Sequence, residues 1–138
     1  MPFTSAWYIE NEIIYMQFSG AVTLDDMRAS IIEANRFIES SPRPVVHLLS
    51  DVGQVTKALN PKDSLAVARE TKPHARAGWN IVLREKSVLI KVGVMVGSSV
   101  FKVPTKVCDT LEEAIAVLKK ADTTLDWDRA NSSVLADQ

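Results

Sequence analysis

Residues 44–49 form a short, nearly continuous apolar run, PVVHLL, in the first half of the chain. A run of this length is typical of a central strand that is buried on both faces of a sheet. Strands buried in this way belong mostly to parallel sheets, in which helices connect one strand to the next. The run therefore predicts a mainly parallel sheet with helices on its faces.

The segments around this run predict the remaining elements. Two β-rich segments, residues 7–10 and 13–18, are separated by Asn11-Glu12 and predict a hairpin. Helices are expected to begin after Thr23, Asn60 and Thr110, which are good N-caps, and residues 52–59 are expected to form a loop. Further strands are expected at residues 78–83 and 105–108. The sequence thus predicts an α/β fold with a mixed, mainly parallel sheet of about five strands and a leading β-hairpin.

Residues 87–101 are ambiguous. Their Val and Gly content favours a strand, whereas their length favours a helix. Gly93 and Gly97 lie four residues apart, a spacing that would let a helix approach the sheet closely. Propensity alone leaves both alternatives open.

Length and charge exclude several classes of protein. The chain has 138 residues and a formal net charge of −1, which fits one globular domain and argues against a nucleic-acid-binding protein. Residues 61–107 nevertheless carry 9 basic and 3 acidic side chains. Packing could bring this excess against acidic segments, or it could form a basic face for an acidic partner or a membrane surface.

Targeting features are absent from the sequence pattern. The N-terminus lacks the basic and apolar regions of a signal peptide, and the longest uncharged apolar run, residues 92–101, is too short to span a bilayer. The single cysteine, Cys108, allows no intrachain disulfide. We therefore expect a soluble cytoplasmic protein without stable membrane insertion.

No catalytic or metal-binding motif stands out. The sequence has no Gly-x-Ser-x-Gly nucleophile elbow and no glycine-rich phosphate loop. His47, His74 and Cys108 lie in separate predicted elements, so a metal site is not expected, and His47 is interpreted as a hydrogen-bonded core residue. We expect no catalytic residues, no cofactor and no enzymatic activity.

Eight residues are candidates for binding. In open parallel sheets, ligands meet the carboxyl ends of the strands, and Ser50 and Asp51 follow the central strand there. Asp51 could cap a turn or contact a ligand, and Trp79 could be core or an interface anchor. Lysines flank the ambiguous apolar segment. The candidates are Ser50, Asp51, Gly53, Asn60, Trp79, Lys86, Lys91 and Lys102.

Four short segments carry a resemblance to a known family. They are Phe18-Ser19-Gly20 with Thr23-Leu24-Asp25-Asp26, residues 46–51 (VHLLSD), Gly78-Trp79, and residues 109–118 (DTLEEAIAVL). In order and spacing they resemble the STAS-like group, specifically the SpoIIAA-like family of small bacterial domains. The resemblance covers residues 7 to about 125. It implies a single STAS-like domain over residues 1–125, followed by a polar tail over residues 126–138, and a helix over residues 87–101.

The resemblance also implies a function. STAS-like domains are regulatory modules that bind other proteins, so we expect a protein partner and no catalysis. Their phosphorylated Asp-Ser-x-Gly motif has no counterpart here, because Asp51 is followed by Val52 and Gly53. Exposed sheet edges in such domains are compatible with a homodimer. The likeness of this fold to lipid carriers supplies an alternative, a carrier or sensor of a small apolar ligand that occupies a pocket under residues 88–101.

Overall fold

The computed structural model describes residues 3–70, 72, 74–86 and 104–135. These residues form five strands and three α-helices, followed by two short 3₁₀ turns, Trp127–Arg129 and Ser132–Val134. Residues 87–101, which are ambiguous in the sequence and include Lys91, lie outside the described residues, and so does Lys102. The elements are β1 (Phe3–Ile9), β2 (Ile13–Ala21), α1 (Leu24–Ser40), β3 (Val46–Lys57), α2 (Pro61–Glu70), β4 (Ala77–Leu83), β5 (Thr105–Cys108) and α3 (Leu111–Ala121).

The five strands form one sheet in the order β1-β2-β3-β4-β5. β1 and β2 pair antiparallel, and every later pair is parallel. The leading hairpin turns at Asn11, which has φ 67, a left-handed conformation that asparagine tolerates better than most residues. The predicted α/β class, with its mixed, mainly parallel sheet and leading hairpin, is confirmed.

The predicted loop over residues 52–59 is wrong for most of its length. β3 continues to Lys57 and pairs with an extended β2, with Ser19 opposite Gln54 and Ala21 opposite Lys57. The Val22 N–H donates to the Lys57 carbonyl at 2.9 Å, which ties the two strand ends together. Pairing with β2 thus extends β3 past Asp51, which lies within the strand and not at its end.

The three helices begin where the caps predict. Thr23 and Asp26 form a complete capping box at the start of α1. Asn60 accepts the Asp63 N–H at 2.8 Å at the start of α2, and Thr110 accepts the Glu113 N–H at 3.1 Å at the start of α3. The local sequence therefore determines all three N-termini.

The sheet has a hydrophobic cluster on each face. α3 and the C-terminal segment cover one face, where Leu125 is buried and Trp127 packs against the core. α1 covers part of the other face through Ala34 and Ile38. α2 lies beside α1, and Arg28 of α1 forms an ion pair with Glu70 of α2. Among the described residues, no helix combines the length and hydropathy needed to cross a bilayer.

An irregularity between β3 and β4 brings His47 against the backbone of β4. Val46 lies opposite Ala77 and Leu48 opposite Asn80, so two steps along β3 correspond to three along β4. The extra residue places the Trp79 N–H 2.9 Å from His47 Nδ1. Gly78 faces the same ring so closely that an added Cβ would lie 2.4 Å from Nδ1. Glycine is therefore required at this position by the neighbouring ring.

Candidate functional site

Ser50 and Asp51 are adjacent in β3 but lie on opposite faces of the sheet, as consecutive strand residues do. Ser50 lines a cavity on the face covered by α1 and α2, whereas Asp51 bonds to Tyr15, a member of the cluster under α3. The structure therefore separates two residues that the sequence suggested as one site.

Asp51 is only 1% exposed, and both of its carboxylate oxygens accept hydrogen bonds. Oδ2 accepts the Tyr15 hydroxyl at 2.6 Å and Arg84 Nη2 at 2.7 Å, and Oδ1 accepts the Gly53 N–H at 3.0 Å. The hydrogen bond from the Gly53 N–H is the backbone contact expected if Asp51 caps a turn, one of the two alternatives that the sequence left open. The arrangement neutralises a buried carboxylate with a cation, as burial requires, and it gives Asp51 and Gly53 a structural contact.

The remaining predicted residues are dispersed. Asn60 caps α2, and its side-chain amide also donates to Asp63 Oδ2 at 3.0 Å. Lys86 is exposed, three residues after the end of β4. Trp79 is half-buried; it borders the cavity that Ser50 lines but packs against the hydrophobic cluster under α3, on the opposite face. Among the six candidates that the structure describes, Asp51 and Gly53 are thus joined by a hydrogen bond, and no larger group forms one site.

The cavity lies between the sheet and the two helices α1 and α2, and its volume is about 380 Å³. This is within the ~300–1,000 Å³ range of small-molecule sites. Its floor comes from β2, β3 and β4 and includes Ile14, Met16, Phe18, Leu48, Val52 and Val82. Its roof comes from α1 and α2 and includes Met27, Ile31, Ala34, Ile38 and Val67. The walls are therefore mainly apolar.

A polar pair interrupts this apolar floor. The Ser50 hydroxyl donates to Asn80 Oδ1 at 3.2 Å, and both side chains line the cavity. Sequence analysis did not select Asn80. The available signal was a single carboxamide inside the otherwise apolar strand segment 78–83, where β-propensity disfavours asparagine.

His47 is a hydrogen-bonded core residue in the structure, with both ring nitrogens engaged. Nδ1 accepts the Trp79 N–H, so the proton lies on Nε2, which donates to Asp122 Oδ2 at 2.9 Å. Partial burial raises the pKa of Asp122, but hydrogen bonds from Thr124 and His47 outweigh it and lower this pKa from 3.8 to about 2. Asp122 is therefore an anion that holds the start of the C-terminal segment to β3.

Among the described residues, the other reactive side chains do not assemble into a site. Burial raises the pKa of the Cys108 thiol, which makes it a poor nucleophile at neutral pH. Across the part of the chain that the structure describes, His, Cys, Asp and Glu side chains nowhere cluster in threes that could ligate a metal ion. The apolar cavity is accordingly the arrangement best suited to binding.

Comparisons of the sequence with protein-family models, with curated proteins and with solved structures gave no match. The resemblance to the SpoIIAA-like family therefore stays a prediction that depends on the four segments named above. The function has to be argued from the cavity itself.

Proposed function

We propose that this chain is a non-enzymatic binding protein that holds a small apolar ligand between the sheet and helices α1 and α2. The observation that carries the proposal is the cavity of about 380 Å³ with mainly apolar walls. Apolar walls with a few placed polar groups are typical of sites that enclose small molecules. This function corresponds to the carrier or sensor that the sequence offered as an alternative.

The apolar lining supports an occupant for this cavity. The cavity is partly open to solvent, so its apolar walls are in contact with water until a ligand covers them. Removing apolar surface from water contributes roughly 25 cal/mol per Å². Water gains little here in exchange, because the mainly apolar walls offer it few hydrogen-bond partners. An apolar ligand therefore gains free energy by covering these walls.

Two matched substitutions test whether this volume binds ligands. Ala34 of α1 lines the cavity, whereas Ala114 of α3 is 0% exposed in the opposite core. In Ala114→Leu the added carbons overpack a closed core, which costs about 1–3 kcal/mol. In Ala34→Leu they enter open space, so we expect unchanged or higher stability and weaker binding of the apolar fluorophore 1-aminoanthracene.

The measurements are urea denaturation, fluorescence titration and native mass spectrometry of the purified protein. The proposal is supported if an apolar molecule co-purifies with the protein. It is also supported if the protein binds 1-aminoanthracene and this binding is weakened by Ala34→Leu but preserved in the folded fraction of Ala114→Leu. The proposal fails if the wild-type protein neither retains an apolar molecule nor binds the fluorophore.

Regulatory protein interaction, which the family resemblance implies, is a second proposal. One observation favours it: the Ile32 side chain on α1 is 61% exposed, so it is available for contact with a partner. A partner retained by immobilised wild-type protein and lost on Ile32→Ser would support it. Equal retention by both proteins, or retention of no specific partner, would count against it.

A further inference from the structure

Three polar side chains cross the cavity floor on adjacent strands. Ser50 lies on β3, Asn80 on β4 and Thr105 on β5, and all three line the cavity. Asn80 is paired with Thr105 in the register of β4 and β5, and its Oδ1 accepts the Ser50 hydroxyl. These residues form one polar band, named here the Ser50–Asn80–Thr105 band.

The band presents a hydrogen-bond donor to the cavity. Because Ser50 donates to Asn80 Oδ1, the carboxamide is oriented with Nδ2 and its two hydrogens on the other side. Within the described residues, Asn80 Nδ2 makes no hydrogen bond, and the residue is half-buried. A donor held in this way is matched by a ligand atom that accepts hydrogen bonds.

The charge of the band restricts the acceptor. Serine, asparagine and threonine side chains are uncharged. Among the described residues that line the cavity, the ionisable ones besides His74 are Lys72 and Glu85, which have opposite signs. Burying a carboxylate beside neutral groups costs far more than burying a carbonyl, because one amide donor does not replace the water around an anion. The band therefore favours a neutral acceptor over a fatty-acid anion.

We infer that the ligand is an uncharged amphiphile whose carbonyl group, as in a ketone, ester or amide, accepts a hydrogen bond from Asn80 Nδ2 while its alkyl part lies on the apolar floor. This inference rests on the proposed function. An apolar cavity of 150 Å³ accommodates benzene. By proportion, the cavity of about 380 Å³ has room for roughly 15 non-hydrogen atoms.

The test compares three probes of similar size by displacement of 1-aminoanthracene: 2-decanone, its hydrocarbon analogue 2-methyldecane, and decanoate. In Asn80→Leu, which keeps the side chain's size, we expect the dissociation constant of 2-decanone to rise about tenfold, the equivalent of one hydrogen bond. That of 2-methyldecane should stay unchanged or fall. The wild-type protein should bind 2-decanone more tightly than decanoate.

Asn35→Leu is the control, because Asn35 lines the same cavity from α1, away from the band; it should affect the ketone and the hydrocarbon equally. If Asn80→Leu does not fold, Ser50→Ala replaces it and should weaken 2-decanone alone by a smaller factor. The inference is overturned if Asn80→Leu, or Ser50→Ala in its place, affects the ketone and the hydrocarbon equally. It is also overturned if decanoate binds more tightly than 2-decanone. In both cases the cavity remains a binding site. Failure of 1-aminoanthracene itself to bind would instead refute the proposed function, and the inference with it.

Discussion

Gly78 offers the sharpest test of the packing between β3 and β4. In Gly78→Ala the new Cβ would lie 2.4 Å from His47 Nδ1, 2.7 Å from His47 Cε1 and 2.6 Å from Val45 Cγ1. Ordinary contact begins at 3.4 Å, so the ring would have to retreat by about 1 Å. Val45 is exposed and can turn away, whereas the ring is held on both sides.

The cost can be worked from these contacts. A retreat of about 1 Å would lengthen the 2.9 Å hydrogen bond from the Trp79 N–H to His47 Nδ1 beyond the bonding range and would push Nε2 out of line with Asp122, its partner at 2.9 Å. Each lost bond costs about 1 kcal/mol, and overpacking adds 1–3 kcal/mol. We therefore expect Gly78→Ala to lower the free energy of unfolding by about 3–5 kcal/mol, measured by urea denaturation with tryptophan fluorescence.

Two further variants isolate the cause. Gly20→Ala is the control, because Gly20 has φ +68 but no atom within 4 Å of its added Cβ, so only backbone strain of about 1 kcal/mol is expected. In the double variant with His47→Ala, the clash disappears, and Gly78→Ala should cost at least 2 kcal/mol less than in the wild-type background. Additive costs in the double variant, or a cost of Gly78→Ala below 1 kcal/mol, would refute the reasoning.

Three further predictions follow from polar contacts. The folded protein lowers the pKa of Asp122 to about 2. The carboxylate therefore contributes stability that is present above about pH 5 and is lost as the pH falls towards 2. In Asp122→Asn, the decline of the free energy of unfolding between pH 5 and 2 should be flatter. Asp51→Asn leaves the partly buried Arg84 without its anionic partner and should cost about 2–4 kcal/mol in urea denaturation, whereas a loss below 1 kcal/mol would contradict the structural assignment. Arg76 donates to three backbone carbonyls at and just after the end of α1, those of Ile38, Ser41 and Arg43. Arg76→Met should therefore lower the thermal midpoint of unfolding by several degrees. An unchanged midpoint would show that these hydrogen bonds contribute little.

Local signals in the sequence were sufficient for most of the fold. The N-caps Thr23, Asn60 and Thr110 depend on side chains within three residues of each helix start, and the hairpin depends on a short polar turn at Asn11. The second half of β3 was missed because its strand conformation comes from pairing with residues of β2 more than thirty positions away. Such pairing leaves little trace in local propensity.

The candidate site was harder to predict, for a geometric reason. A cavity is the space left between side chains of several elements, and the sequence gives their volumes but not how closely the helices approach the sheet. Ser50 was selected from its place after an apolar run, yet its neighbour Asp51 faces the opposite core. Asn80 becomes meaningful only when β4 is placed beside Ser50 and Thr105.

The strand order has a consequence for how the chain acquires its structure. Because the spatial order of the strands equals their order along the chain, each new strand pairs with the edge formed by the one synthesised just before it. The β1–β2 hairpin is local and can form within microseconds, and it gives β3 a template before β4 exists. Each strand therefore finds its partner among residues that are already synthesised, and no strand of the sheet has to wait for a distant, later segment to complete its centre.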